Sequence, residues 1–128
     1  MKIVIIDDSE MVRTSLTDIL QTSGCYKIVG HASNISDGLN VILETKPDLA
    51  ILDINMPGGS GISLLEHIKK NNLVSKVIMW TNYADDNFHA LCMRMGADYF
   101  LDKSRDYDKL LSVIGEEYTK TLTIPNSQ

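Results

Sequence analysis

The amino-acid sequence predicts an α/β fold, a five-stranded parallel sheet with helices on both faces. Three observations point there. Short apolar runs alternate with stretches of helical period five times along the chain, the pattern of parallel strands joined by right-handed crossovers. The central runs are apolar without alternation, as expected of strands covered on both faces. The length of 128 residues suits one domain with one real core.

Each element can be justified in order. Ile3-Val4-Ile5-Ile6 is β-branched throughout and too short for a helix. From Glu10 to Ser23, Val12, Leu16, Ile19 and Leu20 share one face, and Gly24 is a good stop. Tyr26 to Val29 is a weaker, partly polar run that suits an edge strand. Ser36 can cap a second helix carrying Leu39, Ile42 and Leu43. Leu49-Ala50-Ile51-Leu52 is the third strand, and a third helix begins near Ser60 or Gly61 with Leu64, Leu65 and Ile68 inward. Val77-Ile78-Met79-Trp80 is the fourth strand. Phe88, Leu91, Cys92 and Met95 then fit the i, i+3, i+4, i+7 template, and Gly96 closes that helix. Tyr99 to Leu101 is the second edge candidate. The last helix places Tyr107, Leu110, Leu111, Ile114 and Tyr118 on one stripe, opposite a charged face. Residues 1–120 form the predicted domain, and 121–128 a flexible C-terminal tail.

Composition narrows the function classes. Seventeen acids against twelve bases give a net charge of −5, which offers no electrostatic reason for nucleic-acid binding. No apolar run approaches the roughly 18 residues of a membrane span. The run after Lys2 is too short for a signal-peptide core. Cys25 and Cys92 match no metal spacing, so free thiols and a cytoplasmic location are expected.

In an open parallel sheet, ligands bind outside the carboxyl ends of the strands. Asp7 and Asp8 follow the first strand, Asp53 the third, and Thr81 and Asn82 the fourth, while Asp102 and Lys103 close the fifth. Taken singly, such residues are helix caps, turn residues or solvated lysines. Together, three carboxylates at one edge repel and raise one another's pKa, an arrangement rarely kept for stability. A divalent cation removes the problem, and Mg²⁺ favours such hard oxygen ligands. A carboxylate can accept a phosphoryl group as a nucleophile. Phosphoryl transfer then requires mainly positioning and charge neutralisation, for which Lys103 and the Thr81 hydroxyl are suited.

These residues resemble the motif set of the receiver domain of bacterial response regulators, over essentially the whole chain. The match comprises Asp7-Asp8, Asp53 within Leu52-Asp53-Ile54-Asn55-Met56-Pro57, Gly61, Thr81 and Lys103, together with the stretch Gly96 to Lys103. The resemblance implies a flavodoxin-like sheet of order 2-1-3-4-5 with Asp53 as phosphoacceptor. It implies Mg²⁺ ligation by Asp8, Asp53 and the backbone carbonyl of Asn55, with Asp7 assisting through water. Lys103 would contact the phosphoryl group, Thr81 would move toward it, and Phe100 would change rotamer with that shift. The implied donor is a sensor histidine kinase or a phosphotransfer protein. The output would go to an effector domain, a partner protein or a phosphorylation-linked homodimer, through the face made by helix four, strand five and helix five. His89, Arg94, Arg105, Asp106 and Lys109 are candidates for that face.

The chain departs from the family pattern at Asn82, where Ala or Gly is usual, at Ser104 in place of Pro, and at Phe100 in place of Tyr. Gly58-Gly59-Ser60-Gly61 is not a Walker loop, since no Gly-Lys-Ser/Thr follows, and is expected to be a flexible turn. Asn55 and Tyr83 are placed to affect water access. Two enzyme classes fit less well. A flavin phosphate would be repelled by Asp7-Asp8, and a dehalogenase-type phosphatase expects a spaced Asp-x-Asp after strand one. A phosphate-independent docking module on the same fold is the remaining alternative.

Overall fold

The computed structural model describes residues 1–82 and 84–122. Its main sheet contains β1 (Lys2–Ile6), β2 (Lys27–Ala32), β3 (Leu49–Leu52), β4 (Lys76–Thr81) and β5 (Tyr99–Asp102). The helices are α1 (Glu10–Thr22), α2 (Ile35–Thr45), α3 (Gly61–Lys70), α4 (Asp86–Arg94) and α5 (Tyr107–Leu122). The strands lie in the order 2-1-3-4-5 and every neighbouring pair is parallel, as expected.

Successive strand side chains point to opposite faces, and this period divides the core in two. Val4, Ile6, Ala50, Leu52, Val77 and Met79 face α2, α3 and α4, where Ile42, Leu64, Leu65, Ile68 and Cys92 cover them. Ile3, Ile5, Leu49, Ile51, Ile78 and Trp80 face α1 and α5, covered by Leu16, Leu20, Leu110, Val113 and Ile114. Each fully buried Leu, Ile or Val contributes about 1.5–3 kcal/mol. The double cover explains the unbroken apolar runs.

The helix faces show the largest departures from expectation. Ile19 and Leu43 are exposed, because α1 and α2 turn narrower stripes to the sheet, centred on Leu16 and Leu20 and on Gly38 and Ile42. Tyr107, expected on the inward stripe of α5, is also exposed. Helix α2 is capped by Asn34 and not Ser36: the Asn34 side chain accepts the Asp37 N–H at 2.8 Å, leaving Ser36 inside the first turn. Gly24 has a positive φ of 75°, in keeping with its place just beyond α1. Helix α5 continues to Leu122, so Thr121 and Leu122 are helical where a tail was expected; 123–128 lie outside the described residues.

The glycine-rich segment after Pro57 is more ordered than a plain turn. Asn55–Met56 pairs antiparallel with Gly59–Ser60, with Gly58 and Gly59 at φ of 87° and 145° between them. Ser60 then caps α3 by accepting the Ile62 N–H. This small ladder holds the chain after Asp53 in one path.

Candidate functional site

The register of the sheet assembles the site. Ile6 pairs with Leu52, and Leu52 with Met79, so β1, β3 and β4 end at nearly the same level. The ladder runs one residue further: the Asp53 N–H donates to Ile6 O and the Asp7 N–H to Ala32 O, both at 3.0 Å. On the far side, the Lys103 N–H donates to Thr81 O at 3.0 Å. Four strands thereby deliver Asp7, Asp53, Thr81 and Lys103 to one edge.

Alternation along the chain separates the two adjacent acids. Asp7 is 2% exposed, whereas Asp8 points to solvent. Asp53 is 5% exposed and Thr81 is fully buried. One carboxylate oxygen from each of Asp7, Asp8 and Asp53 lies within 4.8 Å of the others. Asn55 is exposed two residues beyond Asp53.

Lys103 organises the buried acids. Its ammonium donates to Asp53 Oδ2 at 2.9 Å and lies 2.5 Å from Asp7 Oδ2. The second contact is an ion pair without hydrogen-bond alignment, so Asp7 Oδ2 has no aligned donor. The remaining oxygens are held by backbone: Asp53 Oδ1 accepts the Ile54 N–H at 2.7 Å, and Asp7 Oδ1 accepts the Ser9 N–H at 2.9 Å. Burial pushes the Asp7 carboxyl above the ordinary range, and Lys103 and the Ser9 N–H only partly offset that. Burial also opposes the Lys103 ammonium, but the adjacent carboxylates of Asp7 and Asp53 outweigh this and hold its pKa above the ordinary value.

One ammonium faces three carboxylates, which leaves an excess of negative charge around an oxygen with no aligned donor. That donor set fits a hard divalent cation such as Mg²⁺. The same edge offers a buried carboxylate, an ammonium and a hydroxyl, groups suited to phosphoryl transfer.

Gly61 has a structural role at this edge. A Cβ built there would lie 1.8 Å from the Asp53 carbonyl oxygen, and the Gly61 N–H donates to Ile54 O at 2.6 Å. The first residue of α3 packs directly on the backbone that carries Asp53, an approach open only to glycine. Asn82 is exposed beside the site, and Tyr83 lies outside the described residues.

Two supporting residues escaped the sequence reading. The Arg13 guanidinium donates to the Asp7 carbonyl oxygen at 2.5 Å. Ser9 both caps α1 and supplies the N–H to Asp7. A Ser directly before a helix is a legible cap signal. The reach of Arg13 back over one turn to β1 has no sequence signal.

Phe100 is half-buried on β5, away from the acids, yet the register couples it to them. Met79 pairs with Phe100 and Thr81 with Asp102, so Thr81 and Phe100 lie on one face of the sheet as diagonal neighbours. Four of the five candidates for the output face, His89, Arg105, Asp106 and Lys109, line a cavity of about 410 Å³ together with Phe100; Arg94 is not among its lining residues.

Comparison with known proteins agrees with this geometry. Residues 3–115 match the family model described as the response regulator receiver domain. The nitrate/nitrite response regulator protein NarL of Escherichia coli (strain K12) is 32% identical over 114 residues, 88% of this chain and 52% of that protein. The chain thus spans about half the length of the curated relatives it matches. A response regulator receiver domain protein (CheY-like) from Methanospirillum hungatei JF-1 superposes with a TM-score of 0.83 at 31% identity, covering 93% of this chain and 94% of that one. A DNA-binding response regulator of the LuxR family from Staphylococcus aureus gives 0.83 at 27% identity, covering 91% and 98%.

Proposed function

The chain belongs to the response regulator receiver domain family of two-component signalling, and from that premise we propose that it accepts a phosphoryl group on Asp53 in a Mg²⁺-dependent reaction. The observation that carries this is the placement of Asp53: a nearly buried carboxylate, fixed by the Ile54 N–H and the Lys103 ammonium, beside two further acids and Thr81.

In the proposed step a carboxylate oxygen of Asp53 attacks phosphorus in line. The bond from phosphorus to the donor's histidine nitrogen breaks and its electron pair stays on that nitrogen. Lys103 keeps its charge and moves its contact from the Asp53 oxygen to a phosphoryl oxygen. The Thr81 hydroxyl turns toward another. Asp8, Asp53 and the Asn55 carbonyl would hold Mg²⁺, with Asp7 acting through water. When bound, the ion supplies positive charge against the oxygens of the phosphoryl group. Water attack at the same phosphorus reverses the modification, so the domain assists its own phosphorylation and dephosphorylation without being an enzyme for a diffusible substrate.

The donor is a sensor histidine kinase or a phosphotransfer protein, met in the cytoplasm. Unpaired Cys25 and Cys92 are in keeping with that compartment, and no helix among the described residues is long and apolar enough to cross a membrane. Signal leaves by the face of α4, β5 and α5. Phosphorylation there favours a conformation in which Thr81 has moved and Phe100 has turned inward. The LuxR-family relative is a DNA-binding response regulator, and a DNA-binding effector domain is the kind of output partner this receiver would control.

The test is the intact mass after incubation with acetyl phosphate and Mg²⁺. The wild type gains one phosphoryl group and Asp53→Asn gains none. Equal labelling of the two would refute the assignment of Asp53. Failure of the wild type to label from either acetyl phosphate or a phosphohistidine donor would leave the docking-module reading in its place.

A further inference from the structure

The ring of His89 lies flat on the ring of Phe100, with centroids 4.9 Å apart and planes 3° from parallel. Phe100 is half-buried and packs against the core on the α4 side of the sheet, while His89 is exposed on that helix. The stack therefore covers one face of the Phe100 ring and ties it to α4. Through the pairing of Met79 with Phe100, the same ring is the diagonal neighbour of Thr81.

We propose that His89 is a positioning residue for the switch: its stack on Phe100 holds that ring in its present place against α4 and so sets how far the unphosphorylated domain populates the active conformation. The proposal rests on the receiver reading and extends it by one residue, from Thr81 through Phe100 to the output helix α4. Rotation of Phe100 out of this stack requires that the two rings separate, or that His89 and its helix follow. In either case the stack enters the free-energy difference between the two conformations. An offset aromatic pair is worth a factor of about two to ten in such an equilibrium. A ligand that binds the active conformation gains the same factor when the opposing stack is removed, provided that conformation is the minor one.

Three proteins test this: wild type, His89→Ala and His89→Tyr, which keeps an aromatic ring at the position. His89 is exposed and Ala is a strong helix former, so the fold is not at risk. One readout, the Phe100 side-chain rotamer from NMR couplings, needs no phosphoryl chemistry. The other is the apparent affinity for beryllofluoride with Mg²⁺, a mimic of the phosphoryl group. The expectation is a second populated Phe100 rotamer and affinity raised about two- to tenfold in His89→Ala, with both returned toward wild type in His89→Tyr. A single unchanged rotamer in His89→Ala would overturn the proposal, as would an affinity gain equally present in His89→Tyr. A loosened Phe100 in His89→Ala, with no beryllofluoride binding by any of the three, would uphold the restraint and count against the phosphoacceptor reading instead.

Discussion

Replacing Gly61 by Ala should damage the proposed phosphoacceptor site from the far side of its backbone. The added Cβ would stand 1.8 Å from the Asp53 carbonyl oxygen, 2.8 Å from the Asp53 carbonyl carbon and 3.2 Å from the Ile54 Cα. These are main-chain atoms that cannot rotate aside. Moving the closest contact out to 3.0 Å takes about 1.2 Å of backbone displacement. Overpacking of this kind costs about 1–3 kcal/mol. The Gly61 N–H bond to Ile54 O would be stretched as well, at about 1 kcal/mol. The better helix propensity of Ala returns at most about 1 kcal/mol, and less in a first turn. A net loss of about 1–3 kcal/mol is expected, read as a lower urea midpoint at unchanged slope. Because Asp53 itself shifts by about an ångström, phosphorylation by acetyl phosphate should slow about 100-fold, out of proportion to the stability loss. The paired assays are urea unfolding and the time course of the intact mass. A variant within about 0.5 kcal/mol of wild type that also labels at the wild-type rate would show that the contact between α3 and Asp53 does not position that carboxylate.

Further substitutions address the other parts of the site. Lys103→Ala removes the ammonium shared by Asp7 and Asp53; the domain should still fold cooperatively, about 1–3 kcal/mol less stable, with a blunted conformational response to phosphodonor, and a normal response would count against the role of Lys103. Asp8→Ala should weaken Mg²⁺ binding strongly while leaving stability nearly unchanged, since Asp8 is exposed; an unaltered Mg²⁺ titration followed by the Trp80 fluorescence would exclude Asp8 as a ligand. Glu117 is buried in α5, accepting from Tyr99 Oη at 2.5 Å and Lys120 Nζ at 3.0 Å. Burial raises its pKa, but the bonds from Tyr99 and Lys120 outweigh this and hold the carboxyl below its ordinary value of 4.5. A depressed carboxylate contributes stability that is present above the unfolded pKa and is lost as pH falls through the folded one. Stability measured from neutral pH down through 4.5 should therefore fall less steeply in Glu117→Gln than in wild type, and parallel curves would refute the linkage.

Glu117 also shows where sequence patterning misleads. Its charge alone marks it as a surface residue, yet it falls seven positions after Leu110 and three after Ile114 on the covered side of the last helix, where Tyr99, a strand residue eighteen positions earlier, donates to it. The exposed Ile19, Leu43 and Tyr107 err in the opposite direction. Helical period ranks the faces of a helix, but the angle at which the helix meets the sheet decides how wide the covered stripe is. At the site, the acids, Thr81 and Lys103 were legible, and the support from Arg13 was not. An acid or a lysine directly after an apolar run marks a strand end, and strand ends meet in a parallel sheet.

What the amino-acid sequence determined by itself was therefore local and periodic: five strands, five helices, and polar residues waiting at the carboxyl ends. These follow from φ/ψ preference, side-chain period and chain length, which are properties of short segments. The tertiary structure decided which of Asp7 and Asp8 is buried, because two adjacent residues alternate sides and only the packing says which side is inward. It also decided that Lys103, fifty residues from Asp53, places one charge between two acids, that Gly61 must lack a side chain, and that His89 covers Phe100. Each of these depends on the approach of segments remote in sequence, which is set by strand register and helix packing and not by the residues' own neighbours.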